Sequence, residues 1–252
     1  MIISSIAAQS LRAQFSSLLA WAVLGLTQLL LAYLFLSQID TYMISLQPKL
    51  VDVQNAPGVT ELIVAPLYGN AAVIMLLTLP LLTMNLISGE RRDNTFILLL
   101  TAPISTIEIV LGKYLAVLTY VVLIVSLVTL MPLALFAGTD LDTGRLIACF
   151  LALSLLLAAF GAIGLYFSCV FQHPQVAGLF TFALLLLLWI VNWATPNSDT
   201  PDNILEYLSI LVHFNNMKTG LIDSLDIVYF ILIILVCLIL SIRHLGNERL
   251  QQ

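Results

Sequence analysis

The chain has 252 residues, 61% of them hydrophobic and only 9% charged, with a formal net charge of −5 and a mean hydropathy of +1.07. Soluble domains carry about 25% charged residues, so this composition excludes a water-soluble globule and calls for an integral membrane protein. The charge is unevenly distributed along the chain, so the acidic balance does not define a partner, and nucleic acid is not an expected one.

Residues 2–16 read as a short amphipathic helix: Ser5, Gln9, Arg12 and Ser16 share one side, while Ile3, Ala7, Leu11 and Phe15 share the other. A helix of this kind over residues 1–17 would lie in the membrane interface and lead into the first span. The alternative is that it simply extends that span. The first basic residue is Arg12 and no A-x-A-like site follows, so a cleavable signal is not expected here.

Six uncharged apolar runs come next: Leu18–Leu36, Leu67–Ser88, Tyr114–Phe136, Leu146–Val170, Val176–Ala194 and Ile227–Ile242. Each is close to the length a helix needs to cross about 30 Å of hydrocarbon. The short alternating segments of a barrel are missing, so the fold class expected is an all-α integral membrane protein with six transmembrane helices. Pro80 should kink the second run. Ala158, Gly161, Ala162 and Gly164 give the fourth a small-residue face for close helix packing. Cys149, Cys169 and Cys237 sit inside apolar runs and read as small buried residues, without disulfide or metal spacing.

Between the second and third runs lies residues 88–113, SGERRDNTFILLLTAPISTIEIVLGK. Glu90, Arg91, Arg92 and Asp93 are followed by the apolar segment Phe96–Ala102 and then Pro103. That segment is too short to span and reads as a surface helix between a polar turn and a basic exit at Lys113, a docking surface for a partner. Six spans put both termini on one side, with Arg12, Arg91, Arg92, Lys113, Arg243 and Arg249 there and only Lys49, Arg145 and Lys218 opposite. The positive-inside rule makes the first side cytoplasmic. The outer side then holds a polar loop, Ser37–Pro66, a tight turn at 137–145 and a long loop at 192–226. Within the last, Ile204–Phe214 is apolar but too short to cross, and Asn203 with Glu206 resembles a capping box. A helix dipping part-way in from the outer surface is expected, with Glu206, Ser209 and His213 on one face. A surface helix that merely covers the bundle is the alternative.

No charged residue falls inside the six runs, which argues against a proton- or sodium-coupled carrier or a voltage sensor. There is no phosphate loop, no H-E-x-x-H and no G-x-S-x-G. His173, His213 and His244 are scattered over both sides, without a plausible common metal. A chain without a catalytic centre or an energy source can do vectorial work only if another chain supplies the energy.

Two stretches carry a resemblance. The loop after the second run matches a pattern of the form E-(K/R)-x-x-G-T-x-E-x-L-L-(T/S)-x-P-(I/L), then G-K-(Y/F)-L-A, at Glu90, Arg91, Thr95, Leu99, Leu100, Thr101, Pro103, Ile104 and Gly112–Ala116. Before the last run, Tyr207, Leu208, Ser209, His213, Phe214, Asn216, Met217, Gly220, Ile222 and Asp223 fit Y-L-S-x-x-x-H-F-x-N-(F/M)-x-x-G-x-(I/L)-D. The chain thereby resembles the type 2 permeases of ATP-binding-cassette (ABC) exporters, in particular the gliding-motility and copper-site-maturation branch. Asn94 stands in place of the usual glycine, and Ile97 in place of a glutamate.

The resemblance implies a half-transporter of the bacterial inner membrane with cytoplasmic termini. A second permease copy would complete the pathway, and an auxiliary periplasmic or membrane subunit could join it. A separate ATP-binding subunit would bind the ATP and Mg, leaving this chain without cofactor or enzymatic activity. It would dock on Glu90, Arg91, Arg92, Thr95, Phe96, Leu99, Leu100 and Pro103. Glu206, Ser209, His213, Phe214 and Asn216 would belong to the outer helix or gate. The rival readings are a membrane scaffold that uses the fold without transport, and a membrane-embedded enzyme.

Overall fold

A computed structural model describes residues 2–50, 58–93, 95, 104–138, 141–191, 207 and 209–251. The described residues are helical with short connections and contain no strand. In chain order the helices are α1 (Ile2–Ser16), α2 (Leu18–Thr41), α3 (Gln47–Leu50), α4 (Ala65–Thr83), α5 (Ser88–Arg92), α6 (Thr106–Leu133), α7 (Thr143–Val170), α8 (Pro174–Ile190), α9 (Ile210–Lys218) and α10 (Ser224–Gln251).

Residues 2–16 form the helix α1 with the period that the sequence shows. Arg12 and Gln9 face outward, while Leu11, Gln14 and Phe15 turn inward and α1 packs along α6. It breaks at Ser17, whose backbone is extended. The freed carbonyls find donors locally: Ser17 N–H reaches Gln14 O at 3.0 Å, and the Trp21 indole N–H reaches Phe15 O at 2.7 Å.

Among the described residues five helical stretches are long and apolar enough to cross a membrane: Leu18–Ser45, Thr60–Arg92, Thr106–Phe136, Thr143–Val170 and Ser224–Arg249. The fifth apolar run forms the shorter α8, 17 residues long. At 1.5 Å per residue α8 covers about 25 Å. The stretch 192–194 that would lengthen it lies outside the described residues.

α7 is the axis of the bundle and packs on α4, α6, α8, α9 and α10. Its small-residue face is the reason. A Cβ on Gly161 would lie 2.6 Å from Val117 Cγ1, and one on Gly164 only 2.2 Å from Thr83 Oγ1. Apolar surface gains little by leaving lipid for protein, so close packing of this kind drives helix association in a membrane. The outer helices α2 and α10 keep apolar faces open, with Leu29 65% and Leu232 57% exposed, as lipid-facing surfaces do.

Several boundaries differ from the sequence expectation. The loop Ser37–Pro66 is largely helical where described: helix runs through 37–50 and resumes at Val59. Each extension contains a π-helical turn, Tyr42–Leu46 and Thr60–Val64, ending two residues before Pro48 or Pro66. A proline has no N–H and crowds the carbonyl four residues back, and the wider turn relieves both problems without ending the helix. Pro80 lies inside α4, which continues to Thr83 before a turn at 84–87 leads into α5.

The spans are also longer than the uncharged runs. α6 begins at Thr106, capped by Ser105, and so takes Glu108 and Lys113 into the helix. The Ser105 hydroxyl accepts from Glu108 N–H while the Glu108 carboxylate accepts from Ser105 N–H, a capping box. α10 likewise takes in Asp226 and Glu248. In the last loop a helix spans Ile210–Lys218, while residues 204–206 and 208 of the expected helix Ile204–Phe214 lie outside the described residues. Asn203 and Glu206 lie outside the described residues. Ser209 precedes the helix with an extended backbone, so it does not share a helical face with His213.

Candidate coupling site

α5 is a single short turn of helix, and three neighbours hold it. Ile87 occupies its N-cap position and has no side chain that could cap it. The cap comes instead from α7: Ser168 Oγ accepts from Ile87 N–H at 2.9 Å and Ser88 N–H at 3.1 Å, and donates to Met84 O at 3.1 Å. One hydroxyl thus uses its donor and both acceptor positions. Ser88 Oγ adds a hydrogen bond to Met84 O.

Glu90 and Arg91 of α5 turn toward the bundle. Lys113 of α6, 3% exposed, lies 2.6 Å from Glu90 Oε1 and donates to Leu86 O at 2.6 Å. Lys113 is therefore a buried anchor and not the exposed basic exit that its place in the sequence suggests. An unpaired buried ammonium costs several kcal/mol, and the carboxylate and carbonyl together offset that penalty. Arg91 Nη2 lies 2.6 Å from Glu248 Oε2 of α10, and His244 joins that carboxylate at 3.5 Å. Only Arg92 and Asp93, paired at 3.2 Å, stand open to solvent, at 62% and 61%.

The following stretch is fixed at both ends. Thr95 N–H and hydroxyl both donate to Glu90 O, at 3.0 Å and 3.2 Å. On the return, Arg249 Nη1 donates to Ile104 O at 2.7 Å. Phe96, Leu99, Leu100 and Pro103 lie between these anchors, outside the described residues, as do Asn94 and Ile97.

The opposite end of the bundle holds a second polar cluster. His213 Nδ1 lies 2.6 Å from Asp226 Oδ1 and Nε2 lies 3.1 Å from the Tyr207 carbonyl, while the ring stacks on Tyr229 at 4.0 Å. A carbonyl and a carboxylate oxygen normally accept, so ring and carboxyl together need two hydrogens, one for each contact. His213, Phe214, Ile210 and Met217 form the buried face of α9, and Ser209 is also buried. Asn216 faces solvent. Glu206 lies outside the described residues. Nearby, Arg145 pairs with Glu61 at 3.3 Å. Burial lowers the pKa of Lys218 from its ordinary value, and Arg145 adds to the effect. Gly220, at φ 95°, lets the chain turn back after α9.

Among the described residues no group of three or more His, Cys, Asp or Glu could hold a metal, and the three cysteines are free. The arrangement is that of a bundle whose short α5 is tied to α6, α7 and α10 at once. The profile of ABC-2 family transporter proteins matches residues 4–249. The chain belongs to the ABC-2 family. Comparison with curated proteins finds no match. Members of the ABC-2 family are membrane components of ABC transporters and usually work with an ATP-binding subunit, so a multi-pass permease subunit is the reading that the family and the apolar helices support together.

The anchors of α5 were only partly visible in the sequence. Glu90, Arg91 and Lys113 stand in the loop pattern, but Ser168 and Glu248 do not. Ser168 looks like any serine in a membrane helix, and Glu248 lies 157 residues from its partner. The Ser105–Glu108 box was legible as S-x-x-E.

Proposed function

We propose that the chain is the permease subunit of an ABC exporter of the gliding-motility and copper-maturation type, acting as a half-transporter in a bacterial inner membrane. Two permease copies form the pathway. A separate ATP-binding subunit docks beneath each, on the stretch from Ser88 to Ser105, where Phe96, Leu99 and Leu100 supply an apolar contact. ATP-driven closure of those subunits moves the docking stretch and biases the bundle between two states.

The observation that carries this reading is the fastening of α5. Lys113–Glu90, Arg91–Glu248 and the Ser168 cap join it to three spanning helices, so a push on the loop is delivered to the bundle. A loop needed only as a connection has no use for two ion pairs turned inward.

The proposed orientation has six crossings and cytoplasmic termini. It is supported by the excess of Lys and Arg on the α5 side. The end of α10 also meets α5 and Ile104, and Ile6 of α1 meets Gly112, which brings both chain ends to that side. In intact cells, cysteines introduced by Asn55→Cys and Asp199→Cys should react with an impermeant thiol reagent, and one from Asn94→Cys should not. Labelling at 94 would invert the orientation.

The coupling itself is tested by Phe96→Ala with Leu99→Ala. A shape-matched protein groove loses packing when these side chains shrink, whereas fluid lipid refills the space. The double variant should remain inserted and folded, capture less of the ATP-binding subunit in pull-downs, and leave any residual ATPase activity in lipid discs unresponsive to the permease. Undiminished capture with normally coupled hydrolysis would remove the mechanism.

A further inference from the structure

At the end of the bundle opposite α5, Lys218 closes the last turn of α9 and lays its side chain against α4. α4 offers a glycine there: even a Cβ on Gly69 would lie only 3.4 Å from Lys218 Nζ. The ammonium also stands 5.8 Å from the centre of the Phe214 ring. Lys218 is half-buried, and its ammonium is not one of the sealed side-chain atoms of the bundle, so a ligand can reach it.

Among the described residues no carboxylate pairs with this cation. Glu61 is held by Arg145 at 3.3 Å and Asp226 by His213 at 2.6 Å. Asp142 accepts from the Gly144 and Arg145 N–H groups at the start of α7, and Asp223 from Leu225 N–H at 3.3 Å. The nearest charge of the fold is a second cation. Cys149 Sγ donates to Lys218 O at 3.5 Å, one helical turn from Arg145, and a Cβ on Gly220 would lie 3.7 Å from Arg145 Cγ. Burial and this neighbour both oppose the charge on Lys218. A partly desolvated ammonium without a counter-charge gains by taking an anion.

The surface beside it sets the rest of the ligand. Gly69, Val73 and Leu77 recur every four residues and so follow one side of α4 toward the middle of its span. Val73 is 46% and Leu77 53% exposed. A cation at the outer end of an open apolar stripe matches an anion joined to hydrocarbon. We propose that Lys218 and the Gly69–Leu77 side of α4 bind an anionic phospholipid, its phosphate on the ammonium and an acyl chain along Val73 and Leu77. The site goes beyond the permease reading and does not depend on it. The proposed orientation decides only which leaflet supplies the lipid.

The test uses the full chain in lipid discs without ATP or an ATP-binding subunit, so a failure of coupling leaves its result untouched. The discs contain equal amounts of phosphatidylglycerol and phosphatidylcholine, and lipids retained on the protein are counted by native mass spectrometry. Both lipids carry the same phosphate, but the choline cancels its charge. Retention of the glycerol lipid about fivefold over the choline lipid is expected, the yield of one partly exposed ion pair. Lys218→Gln should abolish the preference, and Lys218→Arg should keep it. Arg243→Gln removes an exposed cation of α10 toward the α5 end and should leave the preference unchanged. Equal retention of the two lipids by the unaltered protein would overturn the proposal. So would a preference that survives Lys218→Gln, or one that Arg243→Gln abolishes. Inorganic phosphate added to the buffer presents a similar oxyanion without hydrocarbon. The bound lipid should stay in place, and its displacement would overturn the lipid assignment in favour of a soluble anion.

Discussion

Arg91 and Glu248 lie 157 residues apart in sequence and 2.6 Å apart in space, with Arg91 only 11% exposed. The pair closes the loop end of the second span onto the end of the last helix. Removing one partner leaves the other charge poorly solvated. Arg91→Met or Glu248→Gln should each cost about 1.5–3 kcal/mol, the range for a hydrogen bond to a charged group. Combining them should cost less than the sum, as a double-mutant cycle in detergent would measure. Additive losses would mean that the pair contributes nothing to holding α5.

Ser168 caps a helix that belongs to another part of the chain. Ser168→Ala strands the N–H groups of Ile87 and Ser88 in a buried site, and should destabilise by about 1–3 kcal/mol. Hydrogen exchange at residues 84–92 should rise more than elsewhere. A uniform rise across the bundle would show that the cap has no local role.

The glycine contacts of α7 allow a compensation test. Gly161→Ala forces a Cβ to within 2.6 Å of Val117 Cγ1 and should cost about 1–3 kcal/mol by overpacking. Val117→Ala removes that atom. The double variant should therefore be more stable than the summed losses predict, read from thermal unfolding in one detergent. Gly164→Ala should be worse, because Thr83 Cβ as well as its hydroxyl would lie too close, at 2.6 Å and 2.2 Å.

His213 and Asp226 are 9% and 5% exposed at their side chains. His213→Ala would bury the Asp226 carboxylate without its partner, at about 3–5 kcal/mol, so the yield of folded protein should fall. Replacing both by leucine should do less harm than either single change. A fully folded His213→Ala protein with lost transport would instead assign His213 a role beyond holding α9 to α10.

Lys218 makes stability depend on pH. Burial lowers its pKa in the folded protein below 10.5, so the folded state gives up its proton before the unfolded state does. The cost of burying the ammonium is fully present at neutral pH and diminishes as pH rises through the folded pKa toward 10.5. Lys218→Met removes that dependence. Melting temperatures of the two proteins should therefore converge from neutral pH upward, and a constant gap would contradict the burial effect.

The sequence by itself determined the class of the molecule. Runs of some twenty residues without charge leave a chain no other solvent than lipid, and the period of α1 places Arg12 outside and Phe15 inside before any contact is known. Local chemistry also carried the loop pattern around Glu90 and the small-residue face at Gly161 and Gly164, because each is a matter of residue type at fixed spacing. The tertiary structure decided where the charges go. Lys113, Glu108 and Asp226 sit at the ends of apolar runs, where hydropathy marks a boundary and the helices nevertheless continue. Capping at Ser105 and a carboxylate brought from α5 make that continuation affordable for Lys113. The π-helical turns before Pro48 and Pro66 likewise carry helix into what composition marks as loop. Ion pairs such as Arg91–Glu248, and a cap such as Ser168, join residues that no periodicity links, since only the packing of α4, α7 and α10 brings them within hydrogen-bonding distance.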